Sequence, residues 1–162
     1  LPSGLKWATC NVGATTPVGY GDYFAWGEIK SKDNYTWETY KFRIEIEDYD
    51  RVIFNKYNTR GGDGVVDNKT TLEFSDDAAR ANWGGSWRIP TKDELRDNCV
   101  WTWTTQNGVS GYMVISNVNG NSIFFRQLAI GVVILFTMML PVVTIGQVHS
   151  MKALQIAHTT LV

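Results

Sequence analysis

Trp83-Gly84-Gly85-Ser86-Trp87-Arg88-Ile89-Pro90-Thr91-Lys92-Asp93-Glu94-Leu95 is the stretch from which the fold is read. Just upstream, Asp76-Asp77-Ala78-Ala79-Arg80-Ala81-Asn82 predicts a short helix over 76–82. Acidic residues at its start suit the positive end of the helix dipole, and Gly84 follows its end. Gly84-Gly85 breaks that helix, and Trp87 and Ile89 stand two apart on a short extended run. Pro90-Thr91 then opens a second helix over 91–97. Thr91 is its N-cap, with Glu94 at the reciprocal capping-box spacing. Rings beside a glycine turn and a proline cap are placed to fill the gap between helix and sheet. Trp83, Trp87, Ile89 and Trp101 are therefore expected to be largely buried, and Trp83, Trp87, Arg88, Pro90, Thr91, Glu94 and Trp101 to act structurally.

Downstream, Val100-Trp101-Thr102-Trp103-Thr104 puts two tryptophans on one face and threonines on the other. Asn107-Gly108 is a strong hairpin signal, so strands over 101–104 and 112–115 should pair through it. Asn119-Gly120 marks another turn and residues 122–125 a third strand, which makes a β-meander. Upstream, residues 5–10 read as a first strand and residues 15–19 as a loop around Pro17 and Gly19. Residues 41–47 alternate with period two, Phe42, Ile44 and Ile46 against Arg43, Glu45 and Glu47. Residues 59–69 read as a polar, glycine-rich, solvent-facing loop. Its Asp63, Asp67 and Asn68 are oxygen donors that could be spaced for calcium, but acidic loop residues ordinarily face solvent.

With 162 residues, 44% of them hydrophobic, the chain can form one domain with a real core. A formal net charge of -1 and the absence of a basic run give no case for a nucleic-acid partner. Seven Trp, seven Tyr and seven Phe fill a small core or furnish a stacking surface for sugars, with Trp26 and Trp37 as candidate exposed rings. Cys10 and Cys99 lie far apart, so neither a close-spaced metal motif nor a cofactor is indicated, and a disulfide and two buried thiols both stay open. The start at Leu1 reads as a fragment or processed form.

The helix, glycine turn, Trp87 strand, Pro90 and capped helix together resemble the Fibrobacter succinogenes major paralogous domain, a C-type-lectin-like module of Bacteroidetes surface proteins. Residues 1–14 resemble the opening of that family, as do Gly21-Asp22-Tyr23-Phe24-Ala25-Trp26-Gly27-Glu28 and the meander. More distantly, Trp87-Arg88, Pro90-Thr91 and Glu94 resemble the signature of the formylglycine-generating enzyme superfamily. The resemblance implies an α+β, C-type-lectin-like fold over 1–125, incomplete at both ends, with two short helices and a twisted antiparallel meander. It implies an extracellular or cell-surface protein. One departure is the four residues between Glu94 and Cys99, fewer than the family has, which should shorten the second helix.

Residues 126–162 are out of character. From Gln127 to Met151 there is no Asp, Glu, Lys or Arg. The roughly 19 apolar residues of 128–146 would span about 28 Å as a helix, close to a bilayer core. Gly131, Pro141 and Gly146 make that a poor helix in water. The genetic code offers another origin. Residues 124–131 can be encoded TTC TTC CGG CAG CTG GCT ATC GG, which read from the third base gives Leu-Pro-Ala-Ala-Gly-Tyr-Arg, a family motif. The same shift permits the family's Tyr-Tyr-Trp-Ser-Ser-Ser between Val143 and Ser150. Residues from about Phe125 onward therefore read as a frameshifted tail lying outside the fold.

Three functions follow. The first is a non-catalytic module that binds a glycan or protein ligand. The second is a surface protein anchored in a membrane through 128–146. The third is a formylglycine-generating-like enzyme, for which Cys10 and Cys99 do not stand at matching positions. His149 and His158 lie in the tail, so no histidine base precedes it.

Overall fold

In the computed structural model, which describes residues 5–45, 52–97 and 99–126, Asn107 and Gly108 both take positive φ, 50° and 77°. This mirror-image turn matches the twist of the strands that it joins. β1 (Arg43–Ile44) and β2 (Ile53–Phe54) form a small antiparallel pair. Helices α1 (Ala78–Trp83) and α2 (Lys92–Asp97) follow. The principal sheet comes last: β3 (Cys99–Gln106), β4 (Val109–Ser116) and β5 (Ser122–Arg126), in that order and antiparallel throughout. The described chain is thus mixed α and β, with antiparallel sheets and few helices. Register runs from Cys99↔Ser116 to Gln106↔Val109, so the hairpin is longer than the segments expected from sequence. β5 runs to Arg126, the last of the described residues.

The central motif folds through hydrogen bonds that its residue types dictate. The Asp77 side chain caps α1 by accepting from the Arg80 N–H at 3.0 Å. Its second oxygen accepts from the Ile89 N–H at 2.8 Å, which fastens the Trp87–Ile89 segment to the helix start. The expected capping box is present: Thr91 N–H donates to Glu94 at 2.8 Å and Glu94 N–H to Thr91 Oγ1 at 3.3 Å. Arg88 grips the same Glu94 carboxylate with both terminal nitrogens. Asp76 does not belong to the first helical turn. It ends a 3-10 turn, Phe74–Asp76, and α1 starts after Asp77.

Apolar side chains gather in three clusters among the described residues. Val12, Phe24, Leu72, Ala78, Ala79 and Ile89 make one, and Ala25, Tyr40 and Phe42 a second. Val114 and Phe125 centre the third, under the principal sheet. Ile89 is buried as expected, but Trp83, Trp87 and Trp101 are half-buried. Trp83 and Trp87 meet edge-to-face at 4.8 Å, so each indole shields the other while keeping one side in water. Both cysteines are free thiols, and burial pushes the Cys99 thiol up.

Other expectations need correction. Residues 5–10 do not form a strand; Trp7 anchors the segment instead, by edge packing on Phe125 at 6.4 Å. The alternating run 41–47 shortens to Arg43–Ile44, because a turn from Tyr40 to Arg43 delays the extended backbone; its remainder from Ile46 lies outside the described residues. The tail 127–162, with the apolar run 128–146, also lies outside them, and among the described residues no helix is long and apolar enough to cross a membrane.

The 59–69 loop is not simply solvent-facing. Gly64 has φ 118°, and a Cβ there would lie 2.2 Å from the Phe54 carbonyl oxygen, which Val65 N–H uses at 2.9 Å. Gly64→Ala should therefore destabilise more than Trp87→Ala, the reverse of the order expected for a solvent-facing loop and a core ring. Half-buried Trp87 should cost about 2–3 kcal/mol on truncation, below the range for a fully enclosed ring. Urea midpoints of the two variants test this ordering.

Candidate ligand-binding surface

Strand alternation places Trp101, Trp103 and Thr105 on one face of β3, opposite Val114, Tyr112 and Ser110 of β4. The inner part of this face is core. Trp101 stacks on Phe125 with centroids 5.5 Å apart and ring planes within 7°, and Val114 is buried beneath them. Towards the hairpin turn the face opens. Trp103 leans edge-to-face on Tyr112 at 4.9 Å, yet 49% of it is exposed. That leaves roughly 100 Å² of indole in water, about 2.5 kcal/mol of burial unrealised. Beyond it, the Thr105 and Ser110 hydroxyls face each other across the strands at 3.4 Å. An aromatic platform with neutral hydroxyls at its rim can stack against an apolar ligand face and exchange hydrogen bonds with polar groups around it.

The rings expected from sequence are not so placed. Trp26 is half-buried, packs edge-to-face on Tyr57 at 6.5 Å, and joins the first core cluster. Trp37 is half-buried against Tyr40 and Phe54, at 6.1 and 5.7 Å. Both rings help to fill the interior of long loops that carry few aliphatic residues. Trp103 was not singled out by sequence reasoning. Its signal was available: no charged residue stands between Asp97 and Arg126, in a chain with 19% charged residues.

The acidic loop serves the backbone. Asp67 accepts from the N–H groups of Tyr57, Asn58 and Lys69, at 2.9, 3.0 and 3.1 Å. Burial alone would raise its carboxyl, but these three donors outweigh that and lower it. Asp63 is buried and lies 3.4 Å from Arg60, whereas Asn68 is exposed with φ 55°. Among the described residues no group of three or more His, Cys, Asp or Glu is arranged to hold a metal ion.

A second polar centre was not legible in the sequence. The Asp76 side chain is 5% exposed and accepts from Lys41 at 2.7 Å, Lys56 at 2.5 Å and the Tyr57 hydroxyl at 2.8 Å. Lys56 also reaches Glu73, which pairs with Lys69. Tyr57 itself has φ 57°, an unfavourable value for a non-glycine residue. Its N–H on Asp67, its hydroxyl on Asp76 and the Glu73 N–H on that hydroxyl hold it there. Each partner is far away in sequence, up to 35 residues for Lys41 and Asp76, so local pattern carries no trace of them. With its charges internally paired, this centre braces the loop. Compared with known proteins, the chain matches no family model, no curated protein and no solved structure.

The two paired carboxylates make stability depend on acid. At both, burial opposes ionisation but is outweighed, by Arg88 and Thr91 at Glu94 and by Lys41, Lys56 and Tyr57 at Asp76; each is held at about 2. Carboxylates with lowered folded-state values stabilise above their unfolded values and lose that contribution as pH falls through the folded ones. Stability should therefore decline from about pH 5 to about pH 2, each group accounting for on the order of 2–3 kcal/mol. Glu94→Gln should be less stable at pH 7 and show a shallower acid decline. Urea midpoints from pH 7 to pH 2 check both.

Proposed function

We propose that this chain is a non-catalytic binding module of C-type-lectin-like architecture, from a bacterial surface or secreted protein, that takes up a glycan or protein ligand. The carrying observation is the half-exposed Trp103 on a rigid hairpin, beside the paired Thr105 and Ser110 hydroxyls. Trp103 is the one exposed tryptophan among the described residues, and it stands at the edge of the longest strand pair. Supporting the architecture are the capped helix after Trp87-Arg88-Ile89-Pro90 and the antiparallel meander that follows it. They correspond to the elements that the resemblance to the paralogous domain implies. Recognition on such a surface comes from shape and stacking on a preorganised platform.

The test is an array of glycans and proteins probed with the folded chain. A saturable partner should be recovered chemically unchanged, and its binding should weaken in Trp103→Ala. Conversion of the partner into products would overturn the non-catalytic reading. Binding unaffected by Trp103→Ala would remove this surface from it.

A further inference from the structure

Resting on that reading, we infer that the ligand of the Trp103 surface is a neutral glycan, with a pyranose ring lying on the indole and its hydroxyls meeting Thr105 and Ser110. Charge supplies the first argument. Residues 98–125 contain no Asp, Glu, Lys, Arg or His, and they include all of β3 and β4. A surface for phosphate, uronate or sulfate needs cations, and one for a basic peptide needs carboxylates; this strand pair has neither. Arg126, paired with Gly111 in the register of β4 and β5, holds its guanidinium over the Tyr20 ring, 3.5 Å from the centroid.

The chemistry of the platform supplies the second. A pyranose presents a patch of C–H groups on one face and a rim of hydroxyls, each both donor and acceptor. Trp103 offers the matching apolar plane, 49% exposed and outside the core cluster that holds Trp101 and Tyr112. Thr105 and Ser110 offer groups of the same dual character, and their single mutual contact at 3.4 Å leaves further donor and acceptor capacity at each. A purely apolar protein segment would leave the remaining donor and acceptor capacity of these hydroxyls unmet, which is unfavourable at a closed interface.

Geometry supplies the third. The hairpin pairs continuously through eight residues on each strand, closed by the Asn107-Gly108 turn. Trp103 sits three residues from the end of that ladder, so ring and hydroxyls hold a fixed separation before any ligand arrives. Little ordering is then needed on binding.

Isothermal titration of the full chain with neutral hexasaccharides (a β-glucan, a mannan and a galactan) and with uronate and sulfated oligosaccharides tests the inference. At least one neutral probe should bind saturably, with Kd changing less than about twofold between 50 mM and 500 mM salt, as expected when no ion pairs form. Trp103→Ala should weaken it by about tenfold or more, and Trp103→Phe by only a fewfold. Thr105→Val with Ser110→Ala should weaken it while cooperative unfolding is retained. Binding confined to charged probes, or unaltered by Trp103→Ala in a cooperatively folded variant, overturns the inference. Capture of a protein ligand with no neutral glycan bound also overturns it but leaves the binding-module reading intact. No ligand of any class would remove both.

Discussion

The Asp77 carboxylate is the point on which this small domain turns. It is 3% exposed, and its two oxygens are committed to two backbone donors, one at the start of α1 and one at Ile89. A buried carboxylate is expensive unless it is hydrogen-bonded, so this pairing holds only when the helix start and the Trp87–Ile89 segment are together. Once Ile89 is fixed, Arg88 and Pro90 are fixed with it. Arg88 can then grip Glu94, whose carboxylate also accepts from Thr91 and starts α2. Asp77 also adds to the stabilisation of the Arg88 charge. One acidic residue thus sets two helices and the tryptophan turn between them.

The remaining structure shows how a chain with little regular secondary structure before residue 74 can still be ordered. Rings take the place of aliphatic layers. Tyr40, Phe42, Phe54 and Tyr57 meet edge-to-face at 5.2–6.1 Å, and each such pair is worth about 0.5–1.5 kcal/mol beyond its area. Tyr57 packs against two of the clusters, and its hydroxyl and N–H tie the loop to the residues that precede α1. Its strained backbone is the consequence of serving all of these at once.

Legibility in the sequence followed locality. The Thr91–Glu94 box, the Asn107-Gly108 turn and the meander were readable because each depends on residues within a few positions of one another. The Asp76 ion-pair centre and the second partner of Asp77 were not, since they join residues 12 to 35 apart. Trp83 and Trp87 are partly buried rings that shield each other, a difference from core Ile89 that hydrophobic character alone does not carry. The expectation that Trp26 and Trp37 are exposed failed for the same reason. Trp26 and Trp37 fill loops, while Trp103, on a strand whose alternation looked core-facing, stands at the sheet edge where nothing described covers half of it.

The most direct measurement is urea unfolding of Asp77→Asn, followed by the circular-dichroism couplet of the Trp83–Trp87 pair. The amide keeps one acceptor but turns an N–H₂ group towards a backbone N–H. The expected result is a loss of about 2–4 kcal/mol, larger than that of Glu94→Gln, with a weakened couplet in the folded baseline. Stability within about 0.5 kcal/mol of the parent and an unchanged couplet would contradict the central place given to Asp77.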